Sequence, residues 1–246
     1  MSKKHHDPLR LPVTLPAVAL AATGTLLLGF FIGVPWLLPI LNAAPAHGIM
    51  SWCLLRGDRR KAVGLMLWWA LWMGSVATFL TVADPWDNAA GVVIHGADYA
   101  REMRAWIETG GGCESTPACF VPQHLIHAGL FAALALTTAS LAALTMGAAL
   151  MNYMSFHVGS LAAASAAPLA TAVLAWHPWS LVRIASFVIL GVVLAEPLLG
   201  RLAKRPIPPG RLPWALAALT GLGADMILKA LLAPTWSRIL NLMLLG

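Results

Sequence analysis

Apolar positions in this chain run in stretches far longer than any amphipathic periodicity needs, and polar positions are gathered into the segments between them. A helix crossing about 30 Å of hydrocarbon takes about 20 apolar residues. The first block, 15–55, is too long for one such span, and Gly33-Val34-Pro35 divides it. We therefore read helices over 14–33 and 35–55, and a third over 62–83. After a polar segment at 84–121, the run 122–176 again holds two helices, 122–144 and 148–175, with the break placed at Thr145-Met146-Gly147. Two more fall at 180–200 and 213–233. The tail with Trp236 and Arg238 is expected along the membrane surface. The fold class is all-α: a polytopic helical integral membrane protein, one transmembrane domain over 1–246. It has about seven spans, or six if 36–55 is a re-entrant hairpin.

Composition agrees with that pattern. The chain is 59% hydrophobic and 11% charged, where a soluble domain carries about 25% charged residues. The net charge of +6 is spread over short segments, so it reads as an orientation signal and not as nucleic-acid binding. The apolar run behind the basic start lacks a small-x-small cleavage site, which points to an uncleaved first helix.

Orientation follows from where the charges fall. With the N-terminus cytoplasmic, Lys3, Lys4, Arg10, Arg56, Arg59, Arg60, Lys61, Arg201, Lys204, Arg205 and Arg211 lie inside. Segment 84–121 then faces outward with Asp84, Asp87, Asp98, Glu102, Glu108 and Glu114 against Arg101 and Arg104. That is the asymmetry of a cytoplasmic (inner) membrane protein. Within this outer loop, 97–108 can form a short amphipathic helix ended by Gly110-Gly111-Gly112. On the oxidising face, Cys113 and Cys119 read as a small structural disulfide. A redox or copper pair is the alternative.

Titratable groups inside the hydrophobic stretches carry the functional information, since each costs on the order of 3 kcal/mol there without a partner, cavity or site. A rise of about 1.5 Å per residue puts His47, His127, His157 and Asp225 at compatible depths on four helices, in the middle and outer layers. His124 shares a face with His127. Asp225 and Lys229 are i,i+4 and can neutralise each other. Asn42 lies outward of His47, and Glu196 sits at the inner end, solvated or capped.

The resulting expectation is a His/Asp site open to the outer face, with catalytic His127, His157 and Asp225 and with His124, Lys229 and Asn42 as substrate or relay groups. His47, His127 and His157 could hold a divalent metal, zinc, iron or copper, leaving a position for water or substrate. Asp225 could instead orient a histidine base. Neither H-E-x-x-H nor G-x-S-x-G occurs.

Three functions fit this pattern: a metal-dependent membrane-embedded enzyme or maturation factor acting on a lipid or membrane-presented polypeptide, a proton-coupled transporter of a small solute, and a non-catalytic complex subunit or assembly factor. The lipid bilayer is the obligatory partner. A membrane protein could dock on the outer loop or on Trp68, Trp69 and Trp72 of the third helix. The small-residue runs in 122–175 point to the packed centre of the bundle, with Met146, Met151 and Met154 filling gaps.

Overall fold

The computed structural model describes residues 11–84, 88–206 and 209–245. The orientation signals at Lys3, Lys4, Arg10 and Asp87 lie outside the described residues. Within them the chain is helical, without strands. The order is α1 (Leu11–Ile32), α2 (Leu37–Leu55), α3 (Arg59–Ala83), α4 (Ala89–Val92), α5 (Gly96–Thr109), a 3₁₀ turn (Cys113–Ser115), α6 (Pro117–Thr137), α7 (Leu141–Ala163), α8 (Pro168–Ala175), α9 (Pro178–Leu202) and α10 (Leu212–Leu245). Six of these, α1, α2, α3, α6, α9 and α10, are long and apolar enough to cross a membrane. α7 is as long at 23 residues but more polar, since it carries Asn152, Ser155 and His157, all three buried against protein. Large apolar side chains such as Leu20, Phe31, Leu71, Phe79, Ile126 and Leu231 face outward. Such a surface suits lipid and makes this a membrane protein.

The turns explain where helices stop. Gly33 adopts φ 73° after α1, and its N–H returns to the Gly29 carbonyl at 3.1 Å, a left-handed cap that favours glycine. Asp58 caps α3 by accepting from the Lys61 N–H at 2.9 Å. α2 is one continuous 19-residue helix and not a re-entrant hairpin. α5 covers the expected amphipathic segment and ends at Gly110, φ 70°.

Three boundaries differ from the sequence reading. The α6–α7 break falls at Thr138–Ser140 and not at Thr145-Met146-Gly147. Ala139 and Ser140 both take positive φ, a conformation non-glycine residues rarely adopt without support. The support is tertiary: the His47 ring donates from Nε2 to the Ala139 carbonyl at 3.0 Å, and Ser140 Oγ donates to the Gly191 carbonyl at 2.6 Å. The expected helix 148–175 is two, because α7 stops at Ala163 and Pro168 starts α8. The tail is not a separate surface segment. α10 continues through Pro234 to Leu245, with the Trp236 indole donating to the Leu174 carbonyl at 2.8 Å.

α1, α2, α3 and α7 enclose the largest core cluster, built on Leu26, Leu38, Met50, Leu65, Met66 and Met73. α7 is the packed centre, as its small residues imply, but α6, expected there with it, is not. α6 stands at the rim, with only Phe120, Phe131 and Ala135 buried. The tryptophans of α3 are used within the chain. Trp68 donates to the Leu15 carbonyl at 3.0 Å, Trp72 donates to Thr23 Oγ1 at 2.9 Å, and Trp69 is buried. Glu196 is neither solvated nor capped. Arg59 grips it with Nε and Nη2 at 2.6 and 2.9 Å and also donates to the Pro209 and Gly210 carbonyls. This clamp joins α3, α9 and the segment before α10.

Candidate functional site

A cavity of about 330 Å³ lies between α6, α7, α9 and α10, with Trp69 of α3 and Tyr99 of α5 on its wall. That is the size of a small-ligand site. Most of its lining is apolar, from Phe131, Leu144, Phe187 and Leu222 among others, and its polar groups include Glu114, His124, His127, Tyr153, Arg183 and Asp225. Leu125 and Leu219, also on the lining, are largely exposed. The cavity is therefore open along the apolar flank that α6 and α10 expose, a surface suited to lipid.

Asp225 is almost fully buried on α10 and is held from two sides. Arg183 of α9 donates Nε and Nη2 to its two oxygens, each at 2.9 Å, a planar two-point geometry specific to guanidinium. His124 of α6 places Nδ1 3.3 Å from Asp225 Oδ2. The contact is an ion-pair distance without hydrogen-bond alignment, and Nδ1 is buried with no hydrogen-bond partner among the protein groups. Lys229, one turn along α10 and 1% exposed, does not pair with Asp225 as the i,i+4 spacing suggests. Its Nζ lies 2.8 Å from Glu114 Oε2 and 4.6 Å from the centre of the Phe120 ring.

Glu114 belongs to the 3₁₀ turn just inside the Cys113–Cys119 bridge, whose sulfurs are 2.05 Å apart. Trp106 of α5 steadies that turn by donating its indole N–H to Ser115 Oγ at 2.9 Å. The bridge therefore sets the position of a carboxylate that reaches down to a buried lysine. Tyr99 of α5 packs against Tyr153 with the rings tilted by 45° and centroids 4.5 Å apart, and directs its hydroxyl to Met154 Sδ at 3.4 Å. Burial, with the Glu114 carboxylate nearby, raises the Tyr99 phenol well above its ordinary range, so it stays a neutral donor.

The expected site residues thus separate into two groups. His124, His127, Asp225 and, through Glu114, Lys229 gather at the polar end of the cavity. His47, His157 and Asn42 do not. His47 is committed to the Ala139 carbonyl at the α6–α7 turn. Asn42 donates to Asn152 Oδ1 at 3.3 Å in the α2–α7 contact. His157 packs in a T-shaped arrangement with Tyr99, centroids 5.8 Å apart, beside the buried His177, which stacks on Trp179 at 4.6 Å. Burial holds His177 well below the usual histidine range.

His47, His127 and His157 are therefore not brought together as a metal triad. Among the described residues no three His, Cys, Asp or Glu side chains converge as metal ligands would. No protein-family model, curated protein or solved structure matches the chain.

Two members of the site escaped the sequence reading. Arg183 sits in an otherwise apolar segment, WSLVRIASF, and a lone intramembrane arginine is itself the signal that could have marked it. Glu114 was counted only as one of the outer loop's charges. Its place next to Cys113, in a turn fixed by the bridge, was the available clue.

Proposed function

We propose that this is a membrane-embedded enzyme acting on the polar end of a lipid held in the α6–α7–α9–α10 cavity. The bundle would sit in the cytoplasmic membrane with its disulfide end outward, as the charge asymmetry asks. One observation carries the reading: a mostly apolar, open-sided cavity holds His124 and Arg183 gathered around the buried Asp225 carboxylate. An acyl or isoprenoid chain would fill the apolar part and bring its head to that cluster.

The roles follow from the geometry. Asp225 lies 3.3 Å from His124 Nδ1; a small turn of the ring would align that N–H with the carboxylate and leave Nε2 to take a proton, the arrangement of a general base with its positioning carboxylate. Because Asp225 is shared with Arg183, it also keeps that guanidinium in place. Arg183 can then stabilise negative charge that develops on the substrate's head. His127, one turn from His124, is the second ring on the cavity wall.

The test is a comparison of lipid extracts from cells expressing wild-type protein, His124→Gln and no protein. Removing a general base lowers a rate by about 10²–10⁴. The predicted result is one lipid that is consumed with wild type and accumulates equally in the other two. A lipid that moves between leaflets without chemical change would favour a transporter. Identical extracts and leaflet distributions in all three would overturn the reading.

A further inference from the structure

We propose that the cavity's ligand carries an anionic headgroup, and that Glu114 occupies the anion's place on Lys229 until the ligand displaces it. The inference rests on the cavity being a site for a membrane-borne amphiphile, and it adds the charge of the ligand's head.

Lys229 is the starting point. Its side chain is 1% exposed, and an ammonium buried to that degree needs a counter-ion. The carboxylate nearest in sequence, Asp225, is already engaged, with both oxygens bonded to Arg183 and His124 beside it. Glu114 supplies the counter-charge. The two acids differ in what holds them. Asp225 projects from a 34-residue helix. Glu114 comes from a three-residue turn followed by exposed residues 116–119, and its side chain is 16% exposed. Glu114 can rotate toward water and be rehydrated without moving a helix.

Charge balance then selects the ligand. Arg183, Asp225 and Glu114 line this end of the cavity, and Lys229 lies behind Glu114, paired to it. An anionic head that replaces Glu114 keeps the balance and recovers charge-assisted hydrogen bonds from Lys229, with Arg183 and the neutral Tyr99 hydroxyl nearby. A neutral head leaves the Glu114–Lys229 pair in place and gains nothing from it. A cationic head would meet two cations, Arg183 and the buried Lys229. Phosphate and carboxylate heads satisfy this chemistry equally, provided the head is attached to a chain that fills the apolar part.

Because Glu114 and the ligand compete for one ammonium, removing the Glu114 carboxylate must tighten binding. An ordinary contact residue would do the opposite.

The test uses the full chain in phosphatidylcholine nanodiscs and three probes read by native mass spectrometry: dodecyl phosphate, dodecanol and inorganic phosphate. Dodecyl phosphate should bind about tenfold or more tighter than dodecanol, the scale of one hydrogen bond to a charged group. Inorganic phosphate alone should not bind at the same concentrations. Glu114→Gln should bind dodecyl phosphate more tightly than wild type, and its melting temperature should rise more on binding. Lys229→Gln should lose the preference over dodecanol.

Equal binding of the two chains by wild type would overturn the anionic head and leave the amphiphile reading standing. Binding of neither chain would overturn both. Weaker binding by a folded Glu114→Gln would overturn the displacement. Binding of inorganic phosphate as tight as that of dodecyl phosphate would show a free-anion site instead. The wild-type comparison decides the charge of the head even if a variant fails to fold.

Discussion

Asp225 and Arg183 form a two-point ion pair between α10 and α9, each carboxylate oxygen 2.9 Å from a guanidinium nitrogen. Breaking one side of such a pair leaves a buried charge without compensation and costs on the order of 3 kcal/mol. Arg183→Gln alone should therefore lower the melting temperature of the detergent-solubilised protein sharply. The Arg183→Gln/Asp225→Asn double variant should recover most of the loss, because no charge is left stranded. Equal and additive losses would mean that the pair is not a coupled unit. Both variants should slow conversion of the lipid by about 10²–10³, since each removes the guanidinium that stabilises charge on the head.

The Arg59–Glu196 ion pair makes the contrasting case. Arg59 and Glu196 join α3 to α9, and neither lines the cavity nor pairs with a described residue that does. Glu196→Ala should cost stability on the same order, about 3 kcal/mol, yet leave binding of dodecyl phosphate to the surviving folded protein unchanged. A change in ligand affinity without a change in melting would contradict the assignment of this pair to architecture alone.

Helix approach sets another limit. A Cβ placed on Gly159 would lie 2.6 Å from Thr81 Cβ and 2.8 Å from the Thr78 carbonyl oxygen, so α7 and α3 would have to separate. Gly159→Ala should destabilise by about 1–3 kcal/mol, the usual cost of overpacking. Gly129→Ala on α6 meets nothing within 4 Å and should be neutral or slightly stabilising, since alanine is the better helix former. Thermal melting of the two variants side by side checks this. A larger loss at Gly129 would contradict the packing described.

The Cys113–Cys119 bridge should control access to the cavity's polar end, because it fixes the turn that carries Glu114 over Lys229. Reduction with a phosphine, or the Cys113→Ser/Cys119→Ser variant, should speed modification of His124 by diethyl pyrocarbonate, followed by peptide mass spectrometry. His157, buried with Tyr99 and His177 behind it, should keep its rate. An unchanged His124 rate after complete reduction would remove the bridge from the description of the site.

The contrast between fold and site shows what the sequence carries. The helices over 14–33, 35–55, 62–83, 180–200 and 213–233 were legible because an apolar run of that length has few other uses. The amphipathic α5 was legible from its glycine stop. The Thr138–Ser140 turn was not, because its positive φ values fall on Ala139 and Ser140 and are sustained by His47 and Gly191, residues distant in sequence. The site followed the same rule. The i,i+4 spacing of Asp225 and Lys229 suggested a pair within one helix, but tertiary structure gave each a different partner. Depth alone grouped His47 and His157 with the site. Depth does not say which way a helix face turns, and both face other helices.

The central claim is that His124, beside Asp225, acts on the head of a lipid in this cavity. The most direct measurement is mass spectrometry of the lipids that co-purify with wild type and with His124→Gln. The account predicts that His124→Gln retains one anionic lipid near stoichiometry, and that this species is absent from wild type, replaced by its altered product or by nothing. The same unselective lipid mixture on both proteins would contradict it.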